Sequence, residues 1–181
     1  MTAREVLDKA LRYRDYWGEE GGLTLSGGEP MLQSVFAAEL FEAAHREGVN
    51  TCLDTAGGPF NEKDADILRL LDATDVVMLD VKAMDGEFHR RLTGADNAPV
   101  FAMAKYLSMR GRRLWIRHVM VPGLTDTKSE IAALEDLVAS LGNVEKLEML
   151  AYHEFGLPKY EALGIEYPLN SLLQSEKEIN K

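Results

Sequence analysis

The chain has 181 residues, 46% of them hydrophobic, and its 30 acidic and 20 basic residues give a net charge of −10. This size and apolar fraction predict a single domain over residues 1–181. The acidic balance argues against a nucleic-acid partner, because phosphate binding requires clustered Lys and Arg. No apolar run of about 20 residues and no signal peptide is present, which argues against a membrane partner, and the single cysteine, Cys52, makes the cytoplasm the expected location.

The first part of the chain predicts a helix, a short strand and a second helix. Thr2 and Glu5 have the spacing of a capping box, and apolar residues at helical spacing follow them. A strand is predicted at residues 23–26. The second helix is predicted to end at Gly48. Its buried stripe is predicted to contain Leu32, Val35, Phe36, Leu40 and Ala43 or Ala44.

The remaining elements continue the alternation. A strand is predicted at residues 49–53, and Asn61 is the expected N-cap of a helix that reaches Leu71. Residues 76–81 are apolar almost throughout, which is typical of a strand buried on both faces. A helix near residues 100–109 precedes a strand at 114–121. Thr127 with Glu130 then predicts the start of a helix to Leu141, and a fifth strand is predicted at 144–150.

Five strands alternating with helices predict an α/β fold with a parallel sheet, either a doubly wound sheet or most of a barrel. Most of the polar residues that are candidates for a functional site fall at or just after the carboxyl ends of strands. Parallel α/β proteins carry their active sites at this edge. These candidates are Glu29, Asp54, Thr55, Asp80, Lys82 and His153. Arg117 instead lies within a strand and is expected to point into the barrel interior, whereas His118 should face the helices.

The segment GGLTLSGGEPMLQ, Gly21 to Gln33, places two glycines and an acid between a strand and a helix. A plain turn needs one glycine, so this pattern favours a ligand site. The alternative is a tight turn with Glu29 in the first helical turn, where an acid suits the helix dipole.

The other candidates also have structural interpretations. Asp54 could be a turn residue or helix cap, and Asp80 and Lys82, which share one face of a strand, could form a structural ion pair. The other residues for which a structural interpretation is preferred are His45 and His89, expected to be solvated, and Cys52, expected to be a small core residue.

Five blocks occur in order between about Thr2 and Tyr167: SGGEP, LDTAG (53–57), VMLDVK (77–82), WIRHVMVPG (115–123) and AYHEFG (151–156). Together they resemble the family of pyruvate formate-lyase activating enzymes, the radical S-adenosylmethionine activases of glycyl-radical enzymes. The resemblance implies an incomplete TIM-like barrel of parallel βα repeats with about five strands, of which this chain is the C-terminal portion.

The resemblance also implies an activity. In this family S-adenosylmethionine binds a 4Fe–4S cluster and is cleaved reductively to a 5′-deoxyadenosyl radical, which abstracts hydrogen from a glycine of a large partner enzyme. The implied cofactors are therefore S-adenosylmethionine and a 4Fe–4S cluster. The implied partners are a glycyl-radical enzyme, with pyruvate formate-lyase as the leading candidate, and an electron donor such as flavodoxin.

Roles for individual residues follow from the resemblance. The backbone of Gly27 and Gly28 approaches the methionine ammonium, and Glu29 supplies its counter-charge. Lys82, oriented by Asp80, is placed at the methionine carboxylate. The remaining positions are Arg117 and His153, which line the cosubstrate site, and Asp54, Thr55 and the Met78 carbonyl, which hold a monovalent cation. None of these residues is interpreted as catalytic.

The chain departs from the family in its cysteines. The family holds its cluster with three thiolates in a Cys-x3-Cys-x2-Cys loop, and this chain contains only Cys52. We therefore expect a fragment without the cluster ligands, inactive alone, in which residues 169–181 leave little room for a closing helix. The alternatives are a non-catalytic binding module of the same fold, an activase of a different glycyl-radical enzyme, or a lyase with a Schiff base at Lys82.

Overall fold

The computed structural model describes residues 1–18, 21–167 and Leu169. Five parallel strands form one open sheet, and their spatial order is the order of the chain. They are β1 (Gly22–Leu25), β2 (Asn50–Thr55), β3 (Val76–Asp80), β4 (Arg113–Met120) and β5 (Val144–Ala151). A doubly wound sheet reverses its strand order at a switch point, and this sheet has none. The architecture is therefore an open part of a parallel βα barrel.

The described residues also form seven α-helices and two short 3₁₀ turns. The helices are α1 (Ala3–Leu11), α2 (Ser34–Arg46), α3 (Ala65–Asp72), α4 (Gly86–Thr93), α5 (Ala98–Met109), α6 (Lys128–Ser140) and α7 (Leu157–Leu163). The 3₁₀ turns cover Arg14–Tyr16 and Pro30–Gln33. None of the helices in the described part of the chain combines the length and the apolar character needed to span a membrane.

The two faces of the sheet differ because side chains alternate along each strand. One set of residues, which includes Leu53, Leu79 and Ile116, is fully buried in a core shared with the helices. The alternate set, which includes Asp54, Asp80 and Arg117, is only partly buried and lies on the concave face. The prediction that Arg117 points into the barrel interior and His118 towards the helices is confirmed.

The start of α1 and the end of α2 follow the sequence prediction. Thr2 and Glu5 make both hydrogen bonds of a capping box, and Gly48 ends α2 with a φ of 67°. The predicted stripe of α2 is wrong at its start, since Leu32 is 75% exposed and Val35 is 45% exposed. The intervening 3₁₀ turn changes the phase, and the buried residues of α2 are Ala37, Ala38, Leu40, Phe41, Ala43 and Ala44.

One other element prediction is corrected, and two helices were not predicted. The N-cap of α3 is Asp64, which accepts from the backbone N–H groups of Asp66 and Ile67. Asn61 instead closes a turn by accepting from the Lys63 N–H. Neither α4 nor α7 was predicted, because α4 buries one residue, His89, and α7 buries none, so neither has an apolar stripe.

Some single-residue predictions also change. His89 is not solvated but 5% exposed, and its Nδ1 lies 2.9 Å from the Ala95 carbonyl oxygen. His45 pairs with Asp75 at 2.9 Å. Cys52 is not in the core, because it is half-buried and lines the concave face. The expectation of a short closing segment at 169–181 concerns residues that, apart from Leu169, lie outside the described part.

Candidate active site at the carboxyl edge of the sheet

The turn after β1 contains two consecutive glycines in the left-handed region. Gly27 has a φ of 85° and Gly28 a φ of 53°, values that residues with a side chain rarely adopt. A Cβ atom at either position would meet no atom within 4 Å. Backbone conformation, rather than lack of space, therefore requires glycine here, and the turn leaves open space beside its backbone at the carboxyl edge of the sheet.

Glu29 joins this turn to the end of β2. Its Oε1 accepts from the Met31 N–H at 3.0 Å and the Thr55 hydroxyl at 2.7 Å, and its Oε2 accepts from the Ala56 N–H at 3.0 Å. A carboxylate has about four lone-pair sites, so Glu29 retains capacity for one more donor. Glu29 is the N-cap of the 3₁₀ turn and lies before the first helical turn, not within it.

Four charged side chains form a continuous ionic chain across β2, β3 and β4. The Arg117 guanidinium donates to Asp54 through Nη2 and, at 2.8 Å, to Asp80 through Nε. Asp80 uses its other oxygen to accept from Lys82 Nζ at 2.7 Å. Two carboxylates thus alternate with two cations in the order Asp54, Arg117, Asp80 and Lys82, and we call this set the ionic chain.

The register of the sheet explains the ionic chain. Asp80 and Arg117 are paired residues of β3 and β4, so their side chains project side by side from the same face. Burial by itself would lower the pKa of the Arg117 guanidinium, but the Asp80 and Asp54 carboxylates outweigh burial and raise that pKa above its ordinary value. Arg117 is therefore a permanent cation between two partly buried carboxylates.

The residues proposed for a monovalent cation are only partly brought together. Met78 is the register partner of Asp54. The Thr55 side chain is buried, donates to Glu29 and accepts from the Gly57 N–H. Asp54 and Thr55 therefore project from opposite faces of β2. Among the residues that the structure describes, no group of three or more His, Cys, Asp and Glu side chains could hold a metal ion.

His153 follows directly after β5 at the carboxyl edge. It is exposed, and its ring stacks on Phe155 at a centroid distance of 5.0 Å. The neighbouring Tyr152 hydroxyl lies 2.7 Å from the Tyr167 hydroxyl, and burial together with this hydrogen bond raises the pKa of Tyr167 to about 12. His153 thus lies at the predicted edge, and no hydrogen bond within the described residues joins it to the ionic chain.

The loop after β3, which carries Lys82, is fixed by buried polar groups that sequence reasoning missed. Asn97 Nδ2 donates to the Ala83 carbonyl at 3.2 Å and to the Met84 carbonyl at 2.9 Å. The carboxylate of Glu130, which was expected only to open α6, accepts from the Met84 N–H. Their signal in the sequence is weak, because isolated polar residues in polar segments look solvated until the fold buries them.

A second open region lies lower on the concave face, towards the amino ends of the strands. It is a pocket of about 490 Å³ lined by 11 residues, among them Cys52, Met78 and Trp115. Burial raises the pKa of the Cys52 thiol. The thiolate form that binds metals is therefore disfavoured at this position.

Comparison with known proteins gives consistent results. Residues 1–136 match the Radical SAM superfamily. The chain is 42% identical over 174 residues to the pyruvate formate-lyase-activating enzyme of Streptococcus mutans, covering 94% of this chain and 66% of that protein. It is 40% identical over 179 residues to the pyruvate formate-lyase 1-activating enzyme of Escherichia coli, covering 98% of this chain and 72% of that protein.

Solved structures share the fold at lower identity. A domain of the pyruvate-formate lyase-activating enzyme from Bacteroides vulgatus superposes with a TM-score of 0.68 at 21% identity, covering 74% of this chain and 82% of that one. Streptococcus suis SuiB bound to S-adenosylmethionine superposes with a TM-score of 0.70 at 18% identity, covering 97% of this chain and 40% of that one. These similarities establish the part-barrel fold.

Proposed function

The chain belongs to the Radical SAM superfamily and, within it, to the pyruvate formate-lyase-activating enzymes, and on this basis we propose that it takes part in activating a glycyl-radical enzyme. Enzymes of this family use S-adenosylmethionine and a 4Fe–4S cluster and generate glycyl radicals. When bound, S-adenosylmethionine supplies by reductive cleavage the 5′-deoxyadenosyl radical that takes hydrogen from the partner's glycine. The observation that carries the proposal is the ionic chain, which presents Lys82 at the carboxyl edge where the Gly27–Gly28 turn also lies.

The residues of this edge fit the amino-acid end of S-adenosylmethionine. Lys82 would bind the methionine carboxylate, and Asp80 would orient Lys82 through their 2.7 Å hydrogen bond. The open backbone of Gly27 and Gly28 would approach the ammonium, for which Glu29 has one remaining lone-pair site.

Further positions complete the proposed site. Arg117 and His153 would line it, and a monovalent cation would use Asp54 and the Met78 carbonyl. Thr55, whose hydroxyl donates to Glu29 on the opposite face of β2, would not join them through its side chain. Such a cation would compete with Arg117 for the Asp54 carboxylate.

The residues of this chain do not fit an iron–sulfur cluster. A cluster of this kind is held by several cysteine thiolates, and the 181 residues contain one cysteine, whose pKa is raised by burial. We therefore expect the chain alone to remain colourless after anaerobic treatment with iron and sulfide, and not to cleave S-adenosylmethionine. Stoichiometric iron with broad visible absorbance would contradict this expectation.

The partner and location follow from the same proposal. The relatives are named for pyruvate formate-lyase, so we propose that this glycyl-radical enzyme is the partner and that flavodoxin is the electron donor. The proposed location is the cytoplasm, which the single cysteine supports.

The test is titration calorimetry of S-adenosylmethionine against this chain and its Lys82→Ala variant. Charge-assisted hydrogen bonds contribute about 1.5–3 kcal/mol each, and much of this is cancelled by the entropy of association. We expect a dissociation constant nearer to about 1 mM than to about 1 µM, weakened at least about fivefold in Lys82→Ala. Lys63→Ala, which removes an exposed lysine before α3, is the matched control and should bind as the wild type does. Equal binding by the wild type and Lys82→Ala would overturn the proposed site.

A further inference from the structure

His118 is a buried residue that contacts two loops of the carboxyl edge. It is 1% exposed and lies in β4 directly after Arg117. Its Nδ1 lies 2.8 Å from the Val81 carbonyl oxygen, and its Nε2 lies 2.9 Å from the Thr125 carbonyl oxygen. Both ring nitrogens therefore face backbone carbonyl oxygens, one in the loop after β3 and the other in the loop before α6. A carbonyl oxygen only accepts, and a neutral imidazole has one N–H whereas an imidazolium has two, so the ring donates to both loops at once in its doubly protonated form.

The contact with Val81 is directly relevant to the ionic chain, because Val81 lies between Asp80 and Lys82 in the sequence. The Val81 N–H also donates to the Arg117 carbonyl at 2.9 Å. Both polar groups of the Val81 backbone are therefore bound to consecutive residues of β4. Val81 therefore cannot move without breaking a buried hydrogen bond. Breaking such a bond is costly because it leaves a buried polar group unpaired.

The contact with Thr125 fixes the other loop. Thr125 is 1% exposed, and its hydroxyl accepts from the Val121 N–H at 2.7 Å. The Thr125 N–H in turn donates to the Val121 carbonyl at 3.0 Å. This loop is therefore a closed turn with its own internal hydrogen bonds, and it offers His118 a rigid second anchor.

We propose that His118 is a positioning residue: its ring, anchored on Thr125, holds the Val81 carbonyl and thereby sets the relative positions of Asp80 and Lys82 for binding the carboxylate of S-adenosylmethionine. The claim that Asp80 and Lys82 are positioned to bind this carboxylate rests on the proposed function. His118 lies on the helix side of β4, opposite the concave face, so it acts through the backbone and does not touch the ligand.

Two substitutions separate the two contacts. The side-chain amide nitrogen of Asn is as far from the backbone as Nδ1 of His, so His118→Asn keeps a donor for Val81. The amide nitrogen of Gln corresponds to Nε2, so His118→Gln keeps a donor for Thr125 and loses the one for Val81. Both variants keep a polar side chain at this position, although the Gln side chain has one heavy atom fewer than His and the Asn side chain has two fewer. His89→Gln is the matched control, because the His89 side chain is also buried and its Nδ1 also faces a backbone carbonyl oxygen, that of Ala95 after α4.

The first measurement needs no ligand. In the wild type the Val81 amide should exchange its hydrogen as slowly as the central amides of β3, and the Arg117 Nε–H should give a protected NMR signal because it is bonded to Asp80. His118→Gln should speed Val81 exchange by at least about tenfold relative to the β3 amides, and His118→Asn should leave this ratio within about twofold. A wild-type Val81 amide that exchanges like an exposed loop amide would overturn the proposal even if neither variant folds.

The second measurement is the affinity for S-adenosylmethionine. We expect His118→Gln to weaken binding by about tenfold, while His118→Asn and His89→Gln stay within about twofold of the wild type. Equal weakening in His118→Asn and His118→Gln, in proportion to their loss of stability, would show a purely structural role and overturn the proposal. If the wild type itself shows no saturable binding, the proposed function fails, whereas the exchange measurement still decides the role of His118.

Discussion

Arg117 joins three strands through one guanidinium, and the alternation of side chains along β4 was enough to predict which face it occupies. The pattern could not predict its two carboxylate partners, because these depend on the register between β3 and β4 and on how far Asp54 reaches. The same limit applies to Glu29. The sequence indicated an unusual turn, but two of the donors to Glu29 are Thr55, the last residue of β2, and Ala56, which follows it, 26 and 27 residues away in the chain.

Replacing Arg117 with Met should lower the free energy of unfolding by about 1–3 kcal/mol at neutral pH, because Asp54 and Asp80 lose their common cation. Urea denaturation measures this. Arg90→Met, which breaks an exposed pair with Asp96, should lower the free energy of unfolding much less than Arg117→Met does. A deficit for Arg117→Met no larger than that for Arg90→Met would show that Asp54 and Asp80 do not depend on Arg117 for stability.

Glu29→Gln should destabilise the protein by about 1–3 kcal/mol even without a ligand. The amide offers one acceptor oxygen where the carboxylate offered two, so at least one of the three donors is left unpaired. Chemical denaturation is the measurement. The control is Glu62→Gln on the exposed loop before α3, which should change stability by less than about 0.5 kcal/mol. A Glu29→Gln variant as stable as the control would mean that the hydrogen bonds of Glu29 do not stabilise the fold.

The elements with strong apolar periodicity were predicted from the sequence, and those without it were not. All five strands and α1 were located within about two residues, because their side chains alternate or repeat against a core. In contrast, α4 has mainly polar residues and is held by its Asp85 cap and by buried His89, which are specific contacts and not a pattern. The sequence of Leu32 and Val35 looked like part of a helix stripe because a 3₁₀ turn has a similar period.

The amino ends of β2 and β3 are joined to α2 by a cluster of Asp75, His45 and Thr51. Burial alone would raise the pKa of the Asp75 carboxyl, but hydrogen bonds from the Thr51 N–H and from His45 outweigh it, and the pKa is lowered. A lowered folded pKa stabilises the protein above the unfolded value, and this contribution is lost as the pH falls through the folded value. The cluster is therefore a source of acid sensitivity.

Asp75→Asn tests this. The wild type should exceed the variant by about 0.5–1 kcal/mol at neutral pH, a modest value because the His45 and Asp75 side chains are more than a third exposed. The difference should disappear as the pH falls below about 4. Thermal unfolding of both proteins across this pH range is the measurement, with Asp72→Asn as the control for a surface pair. A difference that persists unchanged in acid would show that the Asp75 charge is not involved.

At the scale of the whole molecule, the sequence predicted a parallel α/β sheet but left two topologies open. The direction in which successive strands are added depends on which face each helix covers, and local periodicity does not encode that choice. The resolved order, β1 to β5 without a reversal, also leaves two edges within the described residues. These edges differ, because β5 carries Glu145, Lys146 and Glu148 while β1 has no charged residue.

An uncharged strand edge invites pairing with another chain, so we expect this protein to self-associate through β1. Thr24→Lys places a charge on β1 at an exposed position and should reduce the mass measured by light scattering at high concentration. Glu62→Gln alters the net charge by the same amount, from −10 to −9, and should not reduce the measured mass. A wild type that stays monomeric at high concentration would show that the β1 edge is protected.

The position of the ionic chain on the open side of the sheet makes it sensitive to the surrounding electrolyte. Mobile ions screen charges beyond about 10 Å in 0.1 M salt and beyond about 3 Å in 1 M salt. Lys82, whose side chain is 35% exposed, will therefore hold an anionic group less tightly as salt rises. His118 and Glu130, which are 1% and 7% exposed, are not accessible to these ions, so their hydrogen bonds to the loops are not screened. Higher ionic strength should thus weaken the attraction of this edge for an anionic ligand and leave the structure of the edge unchanged.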